Sequence, residues 1–107
     1  MYGREHELKT WPEPFVAMLD GRKTFEFRKD DRAFMVGDLV TCREWDPGRS
    51  QPFRYTGQWL RVRVTYVLHG GRFGVPEGYV VLGTRLISSG DSLSKEPPRT
   101  TEEERAT

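Results

Sequence analysis

The hydrophobic pattern changes period along the chain, and each change marks an element. Residues 6–10 read as a short strand. The stretch WPEPFVAMLDG follows, with Phe15, Met18 and Leu19 at the spacing of one helical face. Pro12 and Pro14 suit a first helical turn, where a missing N–H costs nothing, and Gly21 is placed to end the helix. Residues 23–29 alternate, with Phe25 and Phe27 on one face and Thr24, Glu26 and Arg28 on the other. The phenylalanine face is the expected core side. The pair Gly37-Asp38 marks a turn into a strand over 39–45, and Pro47 and Gly48 mark a loop. The longest strand signal covers 59–68, with Leu60, Val62, Val64, Tyr66 and Leu68 facing the core and Arg61, Arg63 and Thr65 facing away. After the glycine-rich loop HGGRFGVPEG a last strand is expected over 79–87. The predicted class is mainly β (α+β): an antiparallel sheet curled into a barrel, which hides its edges, with one short helix after the first strand.

Composition narrows this picture. A chain of 107 residues is one domain, with 36% hydrophobic and 31% charged residues, as in a globular protein. The domain is expected to occupy residues 1–87. Residues 88–107 offer little apolar surface beyond Leu93 and carry a net charge of −2, so they read as a disordered tail. The body is mildly basic at +3, which permits an anionic partner without the strong field of a dedicated DNA binder. The single cysteine, Cys42, has no disulfide partner and no zinc spacing, and reads as a half-buried strand residue rather than a catalytic thiol. No apolar run is long enough to span a membrane, and MYGREHELKT lacks the apolar stretch of a signal peptide. These features point to a cytoplasmic protein with no metal site and no cofactor.

The densest charge lies in DGRKTFEFRKDDR, residues 20–32. Glu26 and Arg28 share a strand face and can pair, and Lys23 can join them if the turn before the strand bends. Such a face is either a solvated edge-strand surface or a binding site. Lys9 and Trp11 precede the helix and should face the same mouth; Trp11 suits base stacking or a hydrophobic staple equally. His6 is a secondary candidate, either capping the first strand or titrating in the cleft. Arg61 and Arg63 form either a basic stripe or a solvated strand face.

The stretch GRKTFEFR resembles the G-x-K-x-x-E-x-R signature of the ASCH family, with Gly21, Lys23, Glu26 and Arg28 in register. The wider pattern HELKTWPEPF … LDGRKTFEFRKDDRAFMVGDLV … EWD … VTYVL … GYVVLG resembles a compact phage and bacterial branch catalogued as a domain of unknown function, over roughly residues 6–87. The resemblance implies a PUA-like β-barrel. It also implies a cleft between helix and barrel, lined by Lys23, Glu26 and Arg28, that binds RNA or a plain or modified nucleotide. A second implied class is a small hydrolase. Amidohydrolases that resemble this family use a Lys, a Thr three residues later and a distant Glu; here that third position is Glu26, and Glu77 is the sole carboxylate of the HGGRFGVPEG loop. A ribonuclease would rely on Lys23 to stabilise a phosphorane and on Glu26 as base. A third class is a phage or mobile-element accessory protein that binds a host protein.

Overall fold

The computed structural model describes residues 3–92. Along the chain lie β1 (Glu5–Thr10), α1 (Pro12–Leu19), β2 (Phe25–Lys29), β3 (Leu39–Trp45), β4 (Tyr55–His69) and β5 (Tyr79–Asp91). The five strands form one curled sheet in the order β1-β3-β4-β5-β2. All six elements begin or end within a few residues of where the sequence pattern puts them. The sheet is mixed rather than antiparallel throughout, because β1 runs parallel to β3.

The first two strands of the chain therefore sit on opposite edges of the sheet, and α1 is the connection between them. Trp11 is extended, as a residue before proline must be, and its carbonyl accepts from the Phe15 N–H at 3.0 Å. Phe15 and Met18 are buried, whereas Leu19 is partly exposed. Gly21 ends the helix with φ at +86°, a left-handed conformation open to glycine at no steric cost. The core joins these helix residues to Leu8, Phe34, Val40, Cys42, Leu60, Val62, Val64, Val80 and Leu82.

Curling brings the two sheet edges within side-chain reach. Arg28 Nη2 donates to the Lys9 carbonyl at 3.2 Å and Arg32 Nη1 to the Glu7 carbonyl at 2.7 Å. Arginines of one edge thus satisfy main-chain acceptors of the other, in place of a strand-to-strand ladder.

Three expectations are corrected here. The strand β2 is turned the other way round: Phe25 and Phe27 are 48% and 52% exposed, and Glu26 and Arg28 point inward. Tyr66 also faces solvent. The register of β4 against β5 slips between Val64 and Tyr66, so Thr65 is an extra residue, and the next inward side chain is Val67. Finally, β5 runs four residues past the expected domain end: Ser88, Ser89, Gly90 and Asp91 pair with Arg61, Leu60, Trp59 and Gln58. Trp59 is completely buried, and a Cβ on Gly90 would lie 2.8 Å from its Cζ2. The tail expected beyond this point falls outside the described residues.

Candidate functional site

The inward turn of β2 assembles the motif. Lys23 follows the helix end, where its N–H donates to the Ala17 carbonyl at 2.9 Å. Its ammonium then reaches over the edge of β2, donating to the Phe25 carbonyl at 2.7 Å and to Glu26 Oε1 at 2.7 Å. Arg28 Nε lies 3.2 Å from the other carboxylate oxygen, Glu26 Oε2. The three side chains retain 19%, 12% and 29% of their exposure in the order Lys23, Glu26, Arg28. This is a half-buried cation–carboxylate–cation array, more costly to desolvate than a surface pair.

Beneath the array lies a polar fragment of the core. The Cys42 thiol is fully buried, not half-buried as expected, and its pKa is pushed up to about 12, first by burial and then by the Glu26 carboxylate. The Thr10 hydroxyl, Arg28 and Lys23 act in the opposite direction and are outweighed. A thiol in this state is no nucleophile at neutral pH. The Thr10 hydroxyl beside it is also buried.

Lys9 and Trp11 are near the array, but they gather around a residue the sequence reading did not select. The Lys9 ammonium lies 4.1 Å from the Trp45 ring centroid, Arg54 approaches the same ring at 5.5 Å, and Trp11 meets it at 6.5 Å. Trp11 is 57% exposed, so it is not a buried staple. Lys9 joins the motif through its carbonyl, which Arg28 holds.

The secondary candidates lie elsewhere. His6 Nε2 is 2.8 Å from Asp38 Oδ2, and both side chains are buried. Asp38 also accepts from the Arg4 N–H at 3.0 Å and the Met35 N–H at 3.0 Å. Burial raises the Asp38 pKa, but the His6 hydrogen bond and the two backbone donors outweigh it and hold the carboxyl below its ordinary value. The Gly37-Asp38 turn is therefore stitched from inside. Arg61 pairs with Glu5 at 2.7 Å with both side chains nearly buried, and Arg63 donates to the Gly37 carbonyl at 2.9 Å. These two arginines do not form an open basic stripe. Glu77 is exposed and rests against Gly71 in a turn with no helix.

A family model described as "Domain of unknown function (DUF3850)" matches residues 5–84. The chain belongs to this family. The DUF3850 match spans β1 to β4, the helix and the start of β5, including the Lys23-Glu26-Arg28 array and the Asp38 turn. Within phages, the chain is 36% identical over 67 residues to the "Uncharacterized 12.9 kDa protein in GpA 3'region" of Escherichia phage P2. That alignment covers 63% of this chain and 57% of the relative, so the chain spans less than two thirds of the relative's length. Among the described residues of this DUF3850 domain, no helix is long and apolar enough to cross a membrane.

Proposed function

We propose that this DUF3850 domain is a PUA-like module of ASCH type that binds RNA or a plain or modified nucleotide at Lys23, Glu26 and Arg28. The observation that carries the reading is the inward-turned Glu26 carboxylate, gripped on both oxygens by cations that keep donors to spare. An ammonium has three N–H donors and a guanidinium five. Lys23 uses two of its three within the fold, on Phe25 and Glu26. What remains suits a phosphate oxygen or a base acceptor, while Glu26 holds both cations in place and can accept from a base amino group. A salt-bridged array this costly to bury is more readily explained by a ligand than by stability.

The test is titration of short single-stranded RNAs and of plain and modified nucleosides against the wild type and Lys23→Ala, with product analysis of every mixture. Wild-type binding, at least about 10-fold weaker in Lys23→Ala with all ligands intact, is the expected result. Equal binding by both proteins, or none by either, would overturn the reading and turn attention to a protein partner. Turnover by the wild type alone would make the domain a hydrolase and assign Lys23 and Glu26 the chemistry.

A further inference from the structure

We infer that the outer face of β2 and β5, with the cleft between β1 and β2, is a second subsite for single-stranded nucleic acid, where Phe27 and Tyr79 stack a base and Lys29 and Arg32 hold phosphates. The inference rests on the nucleotide reading above and deepens it, since it names a strand of several nucleotides rather than a lone nucleoside.

Two independent observations point there. The first is the reversed face of β2. Phe27 and Tyr79 lie side by side on the outside of the sheet, 52% and 38% exposed, with ring centroids 5.5 Å apart and planes within 16°. Phe25 and Tyr66 extend the same exposed aromatic face across the sheet at 48% and 64%. Aromatic rings left in water on a pleated surface are the elements on which successive bases stack. The second observation is a cleft of about 380 Å³ against this face, lined by Phe27 and Tyr79 together with Arg28, Lys29, Arg32 and a single carboxylate, Asp31. The volume suits a nucleotide-sized group. Three cations to one anion suit a phosphate backbone.

The cleft is continuous with the Lys23 array. Arg28 belongs to both, and the Lys23 ammonium sits 4.9 Å from the centroid of the Phe25 ring on the outer face. A strand of nucleic acid can therefore pass from one to the other without leaving the β2 edge. A peptide strand fits less well, because the guanidiniums of Arg28 and Arg32 already occupy the β1 carbonyls it would pair with.

The test uses the full chain and labelled single-stranded oligomers of about 10 nucleotides, within the usual site sizes of sequence-tolerant binders. Matched RNA and DNA oligomers and a mononucleotide are titrated against the wild type, Lys23→Ala, Phe27→Leu, Tyr79→Leu and Lys29→Ala. The leucine variants keep an apolar side chain and remove the aromatic face, together with the hydroxyl in Tyr79→Leu, and circular dichroism confirms that each variant is folded. The expected result is about 10-fold weaker oligomer binding by Phe27→Leu and Tyr79→Leu with mononucleotide binding unchanged. In Lys29→Ala the salt slope should fall by about 0.7. The RNA and DNA arms show which backbone is preferred. Oligomer affinity and salt slope equal to wild type in all three β2–β5 variants would overturn the subsite, even where Lys23→Ala loses both ligands and the first reading stands. Loss of oligomer in those variants, with Lys23→Ala indistinguishable from wild type, would support the subsite and sink the first reading. No oligomer binding by a wild type that binds the mononucleotide would overturn the subsite alone, and no binding of either would overturn both.

Discussion

At the β1 margin of the sheet, buried charge is answered inside the fold; at the β2 margin, charge is turned inward and aromatic surface is turned out. Around β1, Asp38 receives two backbone N–H groups and a histidine, and Arg61 meets Glu5 across the sheet. Each contact fixes a turn or a strand, and the apolar residues of these strands lie in the core. Around β2, two phenylalanines are left half in water while Lys23, Glu26 and Arg28 take the inner side. A sequence selected for stability alone would reverse that strand. Polar groups at the first margin serve the architecture, and those at the second are placed at its expense, as expected of a functional site.

The largest effect should come from breaking the first margin. Asp38→Ala leaves the buried His6 ring and two part-buried N–H donors without an acceptor, and should cost roughly 3–5 kcal/mol, a large share of a small domain's stability. Urea unfolding measures it; a loss below about 1 kcal/mol would show that the carboxylate is dispensable. The same group sets an acid limit. Its pKa is depressed in the folded state, so its stabilisation is complete above the unfolded value of about 3.9 and is lost as pH falls through the folded value. Asp38→Asn should flatten that acid limb of the stability profile.

Next in size is Gly90→Ala. The added methyl would meet the buried Trp59 ring at 2.8 Å, and should cost about 1–3 kcal/mol in overpacking. An unchanged urea midpoint would place Ser88 to Asp91 outside the cooperative fold. The segment SSGD is polar and small, and nothing in it announces that its glycine makes room for a tryptophan about thirty residues earlier.

The helix, its glycine stop and the order of strands were legible because proline, glycine and period carry local physics. The array was legible as a motif, since Glu26 and Arg28 must share a face whichever way β2 is turned. The direction of that face was not. Alternation shows that a strand has two sides but not which one the core claims, and one added residue at Thr65 exchanges them in β4. Trp45 escaped notice for a related reason. Its approach to Lys9 and Trp11 follows from the parallel pairing of β1 with β3, which leaves no local mark in either strand.

Smaller still should be the stability cost of dismantling the array. Lys23→Met combined with Glu26→Leu and Arg28→Met removes all three half-buried charges and their desolvation penalty together, so stability should stay within about 1 kcal/mol of wild type while nucleotide binding is lost. A drop of more than about 2 kcal/mol would make Lys23, Glu26 and Arg28 part of the architecture, and the two margins would then differ only in geometry.

The smallest effect sharpens the comparison most. Phe27 is half exposed, and its ring stacks on the less exposed Tyr79 ring. Phe27→Leu should therefore change unfolding free energy by less than about 0.5 kcal/mol, the range of ordinary surface substitutions. A buried phenylalanine would lose several times more on truncation. If thermal and urea unfolding both show a loss well above that range, the ring is packed in solution and the outward face of β2 is closed. If they do not, the ring contributes little to the fold, and the affinity of the same variant for a single strand measures what it contributes instead.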